Sequence, residues 1–222
     1  MGVSCGGVAF KADTSTLNLS KIIADLFGSR YQINKGYCDS RNADCIYAGM
    51  TNEFVIIVHS ELASAFFAAT DTTGVQKYLD YFSSPELVFA FEAYDSGGTY
   101  SYCLIEKGEV RRQFRSISYE KSIDYGAPLD KERKWLQAPT YTDDDGDTYI
   151  KDADADFECM EDQLPQVLLQ ELMQEKLGFI PETMDDNFRE QYFFKQVVTI
   201  EQPLADESGS VEQNKKPWWK LW

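Results

Sequence analysis

The sequence predicts an α+β fold, a single domain with a mixed, mainly antiparallel sheet flanked by helices. Three observations lead there. Ile56, Ile57 and Val58 form a continuous β-branched run, the pattern of a strand buried on both faces. Residues 86–118 alternate strand-like stretches with the turn residues of "SGG" and "EKG", which predicts a three-stranded antiparallel meander. Two further stretches, "LSKIIADLFG" and "LPQVLLQELMQEKLG", carry apolar residues at helical spacing. No residue motif recurs along the 222 positions, so nothing divides the chain into repeats. Residues 1–202 are expected to form the domain, and 203–222 a polar linker followed by a basic, aromatic tail.

Taken in order, Val3–Ala12 is apolar with small residues and reads as a buried strand. The polar "DTSTLN" offers helix caps before Leu19, Ile22, Ile23 and Leu26, and Gly28 supplies the stop. "CIYAGMTNEFVIIVHS" divides at "TN" into two strands, the second being the β-branched run. "ELASAFFAAT" and "GVQKYLDYFSS" read as short helices, the latter ending near Pro85. After the meander the pattern weakens, and "YGAPLDKERKWLQAP" is expected to wrap the body with Trp135 and Leu136 as anchors. Residues 141–162 read as an acidic, mostly irregular loop. Pro165 then opens and Gly178 closes an amphipathic helix, and "REQYFFKQVVTIEQ" is a last strand.

The net charge of −16 is unevenly placed, because residues 141–162 hold ten acids and one base. A field of that sign repels nucleic acid and anionic lipid and favours basic partners. No apolar run reaches the roughly 18 residues of a membrane span, so integral insertion is not expected. The N-terminal residues have neither the basic nor the apolar region of a signal peptide. Gly6 also occupies the Ser/Thr position of a myristoylation signal. Five cysteines without CxxC spacing are expected as reduced thiols in the cytoplasm. Only Cys38 and Cys45, which flank a polar turn, have a spacing that would suit a bridge.

The histidine count limits the chemistry. His59 is the single histidine, and Ser60 beside it would point to the opposite face of a strand. His59 is therefore read as a polar strand terminus. One histidine and scattered cysteines give no zinc-ligand spacing. "SCGG" and "DSGGTY" lack the lysine and following helix of a phosphate loop. Aligning Gly146 with the glycine of a calcium loop puts Asp143 and Asp145 at ligand positions. It also leaves Tyr141 and Asp152 where the strongest ligands belong. No metal or other cofactor is expected. Glu92 interrupts "FAFEAY" on the alternation that permits solvent exposure, and the exposed reading is preferred. Facing inward, it would need Arg112 or Arg115 as a partner. In "EVRRQFRS", alternation places Arg111, Gln113 and Arg115 on one face and Val110, Arg112 and Phe114 on the other. Arg111, Arg112 and Arg115 are candidate anion-binding residues, with pairing to local acids as the alternative.

The stretch from "FAFEAYDSGGTYSYCLIEKGEVRRQFRSIS" through "GAPLDKERKWL" resembles an uncharacterised bacterial domain-of-unknown-function family. The resemblance covers about a quarter of the chain, implies a bacterial cytosolic α+β protein, and carries no functional residue across. The expected function is non-catalytic binding of a protein partner, in one form as an immunity or inhibitor protein that covers a basic surface. Candidate partner-binding residues are Asp143, Asp144, Asp145 and Asp147 in the acidic loop. In the tail they are Lys215, Lys216, Trp218, Trp219, Lys220, Leu221 and Trp222. Two alternatives stand beside this: a hydrolase-type enzyme using carboxylates or a divalent metal, and peripheral membrane association through the tail. Nothing in the sequence fixes an oligomeric state.

Overall fold

The computed structural model describes residues 4–39, 41–68, 70–152 and 157–197. Strand β1 (Ser4–Lys11) is followed by helix α1 (Leu19–Phe27), β2 (Tyr31–Asn34) and the hairpin of β3 (Cys45–Met50) and β4 (Phe54–Val58). Next come α2 (Ser60–Phe66), α3 (Gln76–Tyr81), β5 (Leu87–Tyr94), β6 (Thr99–Glu106), β7 (Glu109–Ile117) and β8 (Glu120–Tyr125). The chain continues through α4 (Asp130–Leu136), β9 (Thr140–Thr142), β10 (Thr148–Lys151), β11 (Glu158–Met160), α5 (Leu164–Leu177) and β12 (Glu190–Gln196). Nine strands form one sheet in the order β2-β12-β3-β4-β1-β5-β6-β7-β8, and β11-β10-β9 form a second, smaller sheet. Every neighbouring pair in both sheets is antiparallel. This is the α+β arrangement that the sequence predicts.

The large sheet is covered on both faces, which is why its central strands are apolar throughout. Val8 and Phe10 of β1 point to the side packed by Leu19, Ile22 and Ile23 of α1, Leu62 and Phe66 of α2, and Leu79 of α3. Ala9 points to the other side, where Ile56, Phe89, Phe91 and Tyr102 meet Trp135 of α4 and Leu168, Leu169, Leu172 and Met173 of α5. Each Leu, Ile, Val, Phe or Met among these contributes about 1.5–3 kcal/mol when fully buried, so α5 is a principal fastening of that layer. Helix α1 is capped by Asn18, whose side chain accepts from the Lys21 N–H, and α5 ends at Gly178 in the left-handed region.

Four parts of the fold depart from expectation. The meander has a fourth strand, β8, and β2 pairs at the far edge; both are short or polar, so neither carries a strong strand pattern. The acidic stretch is not mostly irregular, because β9 and β10 form a hairpin that β11 extends. Its cohesion comes from Ile150 and Cys159, which turn inward beneath α5, and from Tyr141 stacked on Tyr149. Trp135 anchors α4 and donates from Nε1 to Glu171 at 3.1 Å, whereas Leu136 is 63% exposed and anchors nothing. Cys38 and Cys45 are joined as a disulfide with a Cα–Cα distance of 6.0 Å, so those two are not reduced thiols. Cys5, Cys103 and Cys159 are free.

One irregularity in β7 decides which residues reach which layer. Ile105 pairs with Val110 and Leu104 with Arg112, leaving Arg111 as the extra residue of a β-bulge. Val110 therefore faces the α1–α3 layer, and Arg112 and Phe114 face the α4–α5 layer. Simple alternation, which groups Val110 with Arg112, fails at this point.

Candidate functional site

Arg112 is the organising residue of the outer meander. Its side chain is only 3% exposed and its guanidinium donates in three directions. Nη2 and Nε bond Glu132 at 2.6 and 2.8 Å, and Nη1 bonds the Asp124 carboxylate at 2.5 Å. Nη1 also reaches the carbonyls of Tyr125 and Gly126 at 3.0 and 3.2 Å. Gly126 sits at φ +83°, with the Arg111 carbonyl against the position where a Cβ would stand. Glu132, itself buried, uses Oε2 to accept the Leu129 N–H at 2.7 Å, so one carboxylate both caps α4 and ties it to β7. Burial alone would lower the Arg112 pKa, but its bonds to Glu132 and Asp124 outweigh that and raise it. Lys121 and then Arg112 hold Asp124 below its usual carboxylate range. Tyr102 lies beside the pair with its hydroxyl buried and its ring stacked on Phe114. Burial first, and then the Glu132 carboxylate, keep that phenol protonated.

A cleft of about 610 Å³ opens over this cluster. Its walls are β7 and β8, one side of α4, the β9–β10 turn, and the residues leading from β11 into α5. Phe114, Pro128, Leu136, Met160, Leu164 and Leu168 supply apolar surface. Five acids line it, Asp124, Glu132, Asp147, Glu161 and Asp162, against two bases, Arg112 and Lys121. The two bases are already bonded to Asp124 and Glu132. Asp147, Glu161 and Asp162 make no ion pair among the described residues, so the lining carries three uncompensated negative charges. The exposed Leu136 belongs to this surface.

The other sequence candidates are dispersed. Asp143 accepts the N–H groups of Asp145 and Asp147 at 3.0 and 2.9 Å, so its carboxylate closes the hairpin turn. Asp144 and Asp145 are exposed beside it, and of the four aspartates only Asp147 lines the cleft. Among the described residues, no group of three His, Cys, Asp or Glu is placed to hold a metal ion. Arg111, Arg112 and Arg115 do not form a shared cationic patch: Arg111 pairs with Glu109 at 2.9 Å, Arg112 with Glu132, and Arg115 with Glu92 at 3.2 Å. The exposed reading of Glu92 is corrected. It is 2% exposed because α2 covers that face, and Ser64 and Arg115 both donate to its Oε1. Lys215, Lys216, Trp218, Trp219, Lys220, Leu221 and Trp222 lie outside the described residues.

The chain matches no family model, no curated protein and no solved structure. The geometry is therefore the only guide to function.

The histidine and two of the free thiols are ill suited to covalent chemistry. His59 caps α2, its Nδ1 accepting the Leu62 N–H at 3.3 Å, while Nε2 lies 3.3 Å from the Ala43 carbonyl. Both ring nitrogens are engaged, and burial lowers the pKa of the imidazole. Burial first, then Glu182, Asp95 and Asp185, push the Cys5 thiol up to about 12, and burial pushes Cys103 up to about 12. Thiols at those values are poor nucleophiles at neutral pH. Sequence reasoning missed Tyr102, Lys121, Asp124, Glu132, Glu161 and Asp162. Only Glu132 left a signal: in "LDKE" it stands three residues after Leu129, the spacing of a glutamate that reaches back to a helix start.

Proposed function

We propose that the protein is a non-catalytic interaction protein whose cleft receives a basic, aromatic-bearing segment of a protein partner. The observation that carries this reading is the pairing of apolar lining residues with three exposed carboxylates that lack cations among the described residues. Apolar surface favours aromatic or aliphatic anchors, and the carboxylates favour lysine or arginine beside them. The volume falls within the range of about 300–1,000 Å³ that suits a compact ligand or a few side chains. The engaged imidazole and the raised thiols support binding over nucleophilic catalysis. An inhibitory role, with the acidic face laid over a basic working surface, is the form that charge steering would favour.

The test is a selection of short displayed peptides on the full-length protein, followed by anisotropy titration of the winners. Peptides enriched in Lys or Arg beside aromatics should emerge and bind less tightly at high salt. They should lose affinity for a Glu161→Lys/Asp162→Lys variant. Winners that are acidic, or that bind wild type and variant equally, would sink the proposal.

A further inference from the structure

We propose that the segment Lys215–Trp222 of this same chain occupies the cleft intramolecularly and competes there with the partner. This inference rests on the reading that the cleft takes a basic, aromatic segment, and it names one such segment. The chemistry matches feature by feature. Lys215, Lys216 and Lys220 supply three positive charges for the three uncompensated carboxylates, Asp147, Glu161 and Asp162. Trp218, Trp219 and Trp222 supply flat apolar anchors for a lining that includes Phe114, Leu136 and Leu164.

The connection is long enough. The last described residue, Val197, leaves β12 with its N–H on the Arg30 carbonyl. The strand pairings place that end of β12 at the same end of the sheet as the β7–β8 turn, beside which Tyr119 and Lys121 line the cleft. Between β12 and β8 lie seven inter-strand steps of about 4.8 Å, or about 34 Å. Residues 198–214 are 17 residues, and 17 extended residues reach about 58 Å. A random coil of that length averages about 23 Å end to end. The crossing therefore falls between the average and the limit, the range in which a tethered ligand meets its site at an effective concentration near the millimolar level. A partner would have to displace the segment, which makes it a built-in competitor.

The experiment uses the full chain and one probe, a fluorescein-labelled peptide of sequence KKPWWKLW. Wild type is compared with Trp218→Ser/Trp219→Ser/Trp222→Ser, and that variant with the same chain carrying Glu161→Lys/Asp162→Lys. The triple variant should bind the probe about ten- to a hundred-fold more tightly than wild type, and the added charge reversals should abolish that binding. Zero-length carbodiimide coupling of wild-type monomer should join Lys215, Lys216 or Lys220 to Asp147, Glu161 or Asp162, as read by mass spectrometry. Equal, tight binding by wild type and the triple variant would overturn occupation by the chain's own segment while leaving the cleft a peptide site. If neither binds the probe but both bind the selected display peptides, the segment is the wrong ligand and the inference falls alone. Failure of both probe and display peptides removes the underlying reading as well. Coupling found only in dimers would move the segment to a second copy and overturn the intramolecular assignment.

Discussion

Removing the Glu132 carboxylate tests whether the Arg112 cluster holds the outer meander together. In Glu132→Ala, the guanidinium loses its contacts at 2.6 and 2.8 Å while its side chain remains 3% exposed. The Leu129 N–H also loses its acceptor at 2.7 Å. Breaking a buried pair by deleting one partner costs about 3–5 kcal/mol. Arg112 keeps Asp124 and two backbone carbonyls, which places the loss near the lower bound, and the lost cap adds about 1 kcal/mol. The expected total is about 4 kcal/mol, a large share of the ~5–15 kcal/mol typical of a folded domain. At about 2–4 °C per kcal/mol for a chain of this size, Tm should fall by roughly 8–16 °C. Urea titration with the wild-type slope retained would measure the same quantity. The control is Arg112→Met/Glu132→Leu, which removes both charges and should recover most of the loss, since paired buried charges confer little net stability over apolar replacements. A single variant within about 1 kcal/mol of wild type would refute the reasoning. So would a double variant as unstable as the single.

Further expectations concern the helix cap, the turn glycine and the disulfide. Burial depresses the folded-state pKa of His59 below its ordinary 6.5, so the unfolded chain takes up its proton first on acidification. That contribution to stability is present above the unfolded pKa and is lost as pH falls through and below it. His59→Asn keeps a capping side chain without titrating, so its Tm should decline less than wild type between neutral pH and pH ~5; parallel declines in thermal scans would count against the cap. Gly126→Ala must hold an alanine at φ +83° against the Arg111 carbonyl and should cost about 1–3 kcal/mol in chemical denaturation; a neutral result would show that β8 releases the turn freely. Reducing and alkylating Cys38 and Cys45, seven positions apart, should cost about 2.5 kcal/mol by loop entropy. Identical urea midpoints with and without reductant would contradict that.

Much of the fold is legible in the sequence because its determinants are local. Asn18 and Gly28 bracket α1, Pro165 and Gly178 bracket α5, and the "TN" and "EKG" turns place four strands of the sheet. The cleft is different, since its determinants are separated in sequence and meet only through pairing. Arg112 and Glu132 are twenty positions apart and become partners because α4 folds back under β7. Glu92 shows the same limit. Its alternation along β5 is correct, but whether that face meets water depends on α2, whose placement no pattern in "FAFEAY" records. The acidic stretch misleads in the opposite way. Its charge signals exposure, while the few residues that fold it, Ile150, Cys159 and the stacked Tyr141 and Tyr149, are too sparse to print a strand period.

The bulge at Arg111 also marks where this chain tolerates a change in length. Take away that residue and Val110 would adjoin Arg112, still turning to the α1–α3 layer while Arg112 still turned to α4. Removing Arg112 instead leaves the same sequence, but deletion of Gln113 has no such slack. There, every side chain on one flank of the missing residue would exchange layers, sending an arginine into greasy surroundings and a phenylalanine away from Tyr102. Position 111 is thus a natural splice point, where descendants of this sequence could gain or lose a residue without redrawing its interior.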